Sequence, residues 1–235
     1  MSKKHDLKFL REIAKSYPNR QAVASEIISL SAILNLPKGT EHFMSDLHGE
    51  HEAFAHIRRN ASGVIRKKVD LLFSESMTKD ERAAFSTLIY YPEQKLDELR
   101  EKNLINEQWY ITTISRLVEL CRLVSTKYTR SKVRVHLKKV GGGYEHIIDE
   151  LLNRDVSDKT KKRYYENIYG SVLELGCAES LISALSYSIQ SLVVDHLHIV
   201  GDIYDRGPRA DLILDELMNV SSLDVQWGNH DVLWL

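Results

Sequence analysis

The chain has 235 residues, with 32 basic and 33 acidic side chains and a formal net charge of −1. At 43% apolar and 28% charged residues it has a globular composition, with apolar mass for a sizeable core in one large domain or two small ones. This balance argues against a chain that coats nucleic acid or an acidic membrane surface, and no apolar run approaches the ~20 residues of a membrane helix.

Residues 1–38 form the first predicted segment. Its charged start, Met1 to Asp6, leads into no apolar signal core. From Arg20 to Asn35, Val23, Ile27, Ile28 and Leu34 recur at helical spacing, and Pro37-Lys38-Gly39 ends that helix. A short strand signal follows, Glu41 to Met44. The long middle stretch holds one proline, Pro92, and reads as helix after helix. Thr78-Lys79-Asp80-Glu81 is a capping box, and Pro92 suits the first turn of a helix carrying Leu96 and Leu99. A longer helix with Trp109, Thr112, Leu117, Cys121 and Val124 begins near Asn106; Tyr144 to Leu152 and Ala178 to Leu192 keep the same period.

One segment resists assignment. Val133 to Leu137 alternates like a strand between helical neighbours, and Gly141-Gly142-Gly143 closes it. Lys127, Arg130, Lys132, Arg134, Lys138 and Lys139 stand there with no acid between them. A phosphate-attracting patch is one reading, and a solvated helix face or loop is the commoner one.

Two further strand signals lie at Leu197 to Val200 and Leu223 to Trp227. All three strands break into loops of metal-loving residues, where sites form in α/β sheets. The expected fold class is α/β (α+β by content), with 39–60 plus 191–235 in one domain and 61–190 as a helical insertion.

The first loop carries Asp46 and His48, which an extended backbone would send to one side, where a carboxylate and an imidazole can hold one ion. Alone, this pair is a weak signal, and a solvated surface pair is the better explanation. The second loop carries Asp202, Asp205 and Arg206: a carboxylate can bridge two cations, and a guanidinium offers paired donors to phosphate oxygens. In the third, Asn229 offers a neutral oxygen to a hard metal and His230 can donate a proton near physiological pH.

Together, Asp46-Leu47-His48-Gly49, Gly201-Asp202-Ile203-Tyr204-Asp205-Arg206-Gly207 and Gly228-Asn229-His230-Asp231 resemble the D-x-H-G, G-D-x-x-D-R-G and G-N-H-[DE] signature of calcineurin-like metallophosphoesterases. Most members join the first two motifs by a short passage, whereas here most of the chain lies between His48 and Asp202. That insertion, with the Asn19-Arg20-Gln21-Ala22-Val23-Ala24-Ser25-Glu26-Ile27 helix and Tyr128-Thr129-Arg130-Ser131-Lys132-Val133-Arg134, is similar to class III fructose-1,6-bisphosphatases.

The resemblance implies the N-terminal part of a metallophosphoesterase β-sandwich and a bacterial gluconeogenic activity, removing the 1-phosphate of fructose 1,6-bisphosphate. It implies two Mn²⁺ ions, although Fe or Zn fits the same donors. Asp46 and His48 would hold the first ion, Asp202 would bridge both and Asn229 would hold the second. His230, oriented by Asp205, would act on the leaving group, and Arg206 would grip the phosphate. A phosphoprotein phosphatase or a dinucleoside polyphosphate hydrolase is the alternative, and a helical interaction module with vestigial loops is a third reading. The expected partner is a small-molecule sugar bisphosphate, with no nucleic acid and no membrane; homo-oligomerisation is left open.

Among the remaining residues, His198 reads as a packed or edge histidine. Of His42, His51 and His56, only His51 stands near enough to the first loop to matter. Trp227 is expected beneath the third loop. Cys121 and Cys177 read as buried helix residues, without a disulfide framework or zinc knuckle, which fits a reducing cytoplasm. This signature ordinarily draws further histidines from downstream, and Asp231 to Leu235 reads as the start of a helix. The chain is therefore expected to be an N-terminal part of a longer protein and, alone, an inactive fragment.

Overall fold

The computed structural model describes residues 3–154, 160 and 162–233. The chain divides after Lys38 into two compact units. The first contains α1 (Lys3–Ser16) and α2 (Arg20–Ile33), the latter capped by the Asn19 side chain, which accepts from the Ala22 N–H at 2.9 Å. Helix α2 ends two residues earlier than its periodicity suggests, and its apolar residues Ile27, Ile28 and Leu30 are exposed.

The second unit starts with β1 (Glu41–Met44) and continues through α3 (His51–Asn60), α4 (Val64–Phe73), α5 (Lys79–Tyr90), α6 (Pro92–Glu101) and α7 (Glu107–Ser125). Next come α8 (Arg130–Val140), α9 (Glu145–Leu152), α10 (Lys162–Glu174) and α11 (Ala178–Val193). It closes with β2 (His196–Val200), α12 (Ala210–Met218), β3 (Leu223–Gln226) and the short α13 (Asn229–Leu233). Of the helix expected at the chain's end, Trp234 and Leu235 lie outside the described residues.

Local chemistry sets most helix starts. Thr78 and Glu81 form the reciprocal box, with Thr78 N–H donating to Glu81 at 2.7 Å and Glu81 N–H to the Thr78 hydroxyl at 3.2 Å. Asn106 caps α7 through the Trp109 N–H, and Pro92 opens α6. The ambiguous Val133–Leu137 run is helical. Thr129 caps α8 by accepting from Lys132 N–H, and Val133, His136 and Leu137 turn inward at three- and four-residue spacing. The basic residues mostly remain on its outer face, where Lys132 pairs with Asp195 and Arg134 with Asp149. Lys127 turns inward instead, donating to the Val193 carbonyl at 2.8 Å; burial pulls its pKa down to about 8.

Helix α11 is the hub of the helical body. Leu181, Ile182, Leu185, Ile189, Leu192 and Val193 are all buried, so it is apolar nearly all round, as a helix enclosed by others must be. It packs along α7, whose Leu117, Leu120 and Cys121 are fully buried. Burial pushes the Cys121 thiol up to about 12, so it is inert as expected. Cys177 differs from expectation: it is half-buried and precedes α11 as its N-cap residue, outside the helix. Among the described residues, no single helix is long and apolar enough to cross a membrane.

The three strands form a parallel sheet in the order β1-β2-β3, with Phe43 opposite His198 and His198 opposite Asp224. One face carries Met44, Leu197 and Ile199, which join Phe54, Ile213 and Leu217 from α3 and α12 in a small second core. The connection from β1 to β2 contains the whole helical body. All three strands therefore deliver their carboxyl ends, and the loops after them, to one edge.

Candidate metal centre

The loop after β1 and the loop after β2 are joined backbone to backbone. His48 N–H donates to the Asp202 carbonyl at 2.8 Å, Gly49 N–H to Ile203 at 2.7 Å and Asp46 N–H to Gly201 at 3.3 Å. Gly49 and Gly207 touch so closely that a Cβ on Gly49 would lie 2.3 Å from the Gly207 carbonyl oxygen. The third loop is set against the second by Gly228, where a Cβ would lie 2.0 Å from Asp202 Oδ1.

Asp46, His48 and Asp202 each present a ligand atom, and the three atoms lie within 4.8 Å of one another. The convergence does not come from an extended backbone, as the i, i+2 spacing suggests. Asp46 (φ 54°), His48 (φ 46°) and Asp202 (φ 57°) are left-handed, and so is Asp205 (φ 100°). Once β1 ends, the chain coils to make the inter-loop hydrogen bonds, and these bonds hold a conformation that costs non-glycine residues about 1–3 kcal/mol each. The side chains nonetheless meet: His48 Nε2 lies 3.8 Å from Asp46 Oδ1.

The imidazole of His48 is oriented by a second contact. Its Nδ1 lies 3.1 Å from the Tyr204 carbonyl, which can only accept, so Nδ1 carries the proton and the Nε2 lone pair is free for a cation. His230 is held likewise: its Nδ1 lies 3.0 Å from Asp205 Oδ2. Its ring meets that of His48 edge-on, with centroids 5.4 Å apart. Its backbone N–H also donates to Asp202 Oδ1 at 3.2 Å. Asn229 opens α13 directly after Gly228. Arg206 is largely exposed, with Nε 3.9 Å from Asp205 Oδ2.

Asp231 belongs to the third motif, yet its residue type gave it no distinct role. Its buried carboxylate accepts from Ile203 N–H (2.7 Å) and Tyr204 N–H (3.0 Å) through Oδ1, and from Gly228 N–H (2.9 Å) through Oδ2. It is the clamp between the second and third loops. Burial by itself raises an acid's pKa, but donors from Gly228, Tyr204 and Ile203 outweigh it and hold Asp231 below the usual carboxylate range. A depressed acid contributes stability above its unfolded pKa, near 3.9, and loses it as pH falls through the lower folded value. Acid unfolding of the protein should therefore include a component below about pH 4 that Asp231→Asn removes, at a cost of about 1–3 kcal/mol at neutral pH. Chemical denaturation at pH 7 and pH 3 measures both; an Asn variant as stable as the parent at pH 7 contradicts the clamp.

Two flanking residues depart from expectation. His51 does not join the loop cluster: its Nε2 lies 2.9 Å from Glu216 of α12, which also accepts from Arg58 Nε at 2.8 Å. Trp227, directly after the edge strand β3, is 56% exposed instead of packed under the third loop. His42 is buried and pairs with the Ser62 hydroxyl at 2.7 Å.

A family model described as Firmicute fructose-1,6-bisphosphatase matches residues 8–235. The chain belongs to this family. It is 52% identical to a class 3 fructose-1,6-bisphosphatase of Clostridium tetani over 99% of its own length and 35% of that protein. For the Listeria monocytogenes enzyme of that name the identity is 54%, over 98% of this chain and 35% of the relative. For that of Clostridium botulinum it is 51%, over 97% and 34%. The chain thus spans about a third of the length of these relatives. No solved structure matches it.

Proposed function

We propose that the full-length protein is a two-metal phosphomonoester hydrolase that converts fructose 1,6-bisphosphate to fructose 6-phosphate and phosphate in the cytoplasm, within the calcineurin-like metallophosphoesterase superfamily. The convergence of Asp46, His48 and Asp202, beside the His230–Asp205 pair, carries this reading in a member of this family. The donor set fits a divalent ion: two carboxylates and an imidazole whose Nε2 lone pair is free. Asp46, His48 and Asp202 would hold one ion, and Asp202 with Asn229 would serve a second. Mn²⁺ suits these oxygen and imidazole donors, as do Fe and Zn.

When bound, the ions supply Lewis-acid stabilisation of charge on the phosphoryl group. The chain's own residues do the rest. Arg206, whose side chain is largely exposed, binds phosphate oxygens through paired N–H donors. Asp205 accepts a hydrogen bond from His230 Nδ1–H and so leaves Nε2 as the nitrogen that delivers a proton to the leaving sugar oxygen. Asp231 keeps the His230 turn fixed against the Asp202 loop.

Phosphate release from fructose 1,6-bisphosphate, a phosphoserine peptide and a dinucleoside polyphosphate, measured on the full-length protein with Mn²⁺, tests the assignment. The sugar bisphosphate should give the highest kcat/KM, with fructose 6-phosphate and phosphate in equal amounts. Turnover confined to either of the other substrates overturns it.

A further inference from the structure

The face of the sheet opposite the small core carries a second group of metal-ligating side chains. His196 and His198 stand two apart on β2 and so project from one face, and Asp224 of β3 is the register partner of His198. Their ligand atoms also lie within 4.8 Å of one another. None of the three belongs to the loop motifs.

Three observations distinguish this group from an ordinary ion-paired cluster. The first is distance. Asp224 Oδ2 lies 2.9 Å from His196 Nε2 and 3.3 Å from His198 Nδ1. Donors that share an ion at about 2.0–2.2 Å stand about 3 Å apart. The second is angle. His196 Nε2 is buried and makes no hydrogen bond, despite its 2.9 Å approach to the carboxylate, and His198 Nε2 is buried without a partner as well. A ring nitrogen close to a carboxylate oxygen but off the hydrogen-bond direction is placed as a fellow ligand rather than as a donor. The third is support behind the rings. His196 Nδ1 contacts the Ser222 hydroxyl at 2.6 Å, which leaves Nε2 facing Asp224, and His198 is stacked on Phe43 with centroids 4.3 Å apart. His196 is thus fixed through its other nitrogen, as ligating imidazoles characteristically are, and His198 is held by its ring face instead.

We propose that His196, His198 and Asp224 bind a divalent ion of borderline softness, Zn²⁺ above all, through two imidazole nitrogens and one carboxylate oxygen. Imidazole-rich donors favour Zn²⁺ over Mn²⁺. The carboxylate is largely exposed, so the ion has a path from solvent. Bound there, it ties β2 to β3 and hence fixes the loop carrying Asp202 against the loop carrying Asn229 and His230. The site shares no residue with the loop centre, and it lies on a face of the sheet, whereas the loops gather at its carboxyl edge.

Zn²⁺ titration by calorimetry, with thermal melting, tests it on the full-length protein and on three variants. Asp224→Asn and His198→Phe keep side-chain size, and the first alters only an exposed group. Each should weaken one class of Zn²⁺ binding at least about tenfold, since even outer-shell changes cost about 10–100-fold. Each should also abolish the Zn²⁺-dependent rise in Tm. The double variant Asp46→Asn/His48→Asn should keep both that binding class and the Tm response. Unchanged Zn²⁺ stoichiometry and affinity in Asp224→Asn and His198→Phe overturns the site. So does loss of all Zn²⁺ binding in the Asp46/His48 variant, which would assign every ion to the loop centre.

Discussion

Asp202→Ala is expected to reduce turnover of the full-length protein by at least roughly 10³-fold, because Lewis-acid stabilisation is worth several kcal/mol and each ~1.4 kcal/mol is tenfold. In the proposed centre this carboxylate serves both ions, and it also accepts the His230 N–H at 3.2 Å. Removal by Ala therefore disturbs the metal centre and the turn beyond it. Asp202→Asn separates the two effects: it keeps an oxygen for the His230 N–H and loses the charge. It should retain the parent's melting temperature while losing nearly as much activity as Ala. Mn²⁺ content measured beside kcat checks the cause, and an Asp202→Ala protein with normal metal content and near-normal turnover contradicts the assignment.

His230→Ala should lower kcat by roughly 10²–10⁴, the scale of positioned acid–base assistance. Asp205→Asn should cost less, because the amide oxygen can still accept from Nδ1 at the 3.0 Å position while the imidazole stays in place. The leaving group discriminates between roles. A sugar alkoxide needs a proton and an activated aryl phosphate needs little help, so the loss in His230→Ala should be much smaller with the aryl substrate. Equal losses with both substrates contradict a leaving-group role and leave His230 as a positioning residue alone.

Much of this could be read from residue order because it is local. The caps at Thr78, Asn106 and Pro92 act within one turn, and each stands at the start of its helix. The loop residues sit in contiguous motifs behind short strands, and the sheet gathers Asp46, His48 and Asp202 at one edge. The features that escaped depend on partners distant in sequence. Val133 to Leu137 alternates like a strand, but burial of Val133, His136 and Leu137 against the helical body decides for α8. The left-handed turns at Asp46 and His48 follow from hydrogen bonds to a loop that most of the chain separates from them. Asp231 looks like one more polar residue until Ile203 and Tyr204 bring their amides to it. Likewise, His198 and Asp224 become neighbours only through the register of β2 and β3.

The central claim is that Asp46, His48 and Asp202 share a cation. Crystals of the protein grown with Mn²⁺, with data collected on the manganese absorption edge, test it most directly. The expected result is an anomalous peak at about 2.0–2.3 Å from His48 Nε2 and from a carboxylate oxygen of both Asp46 and Asp202, and its loss in Asp202→Ala. Manganese bound elsewhere, with no peak among these three side chains, would contradict the account.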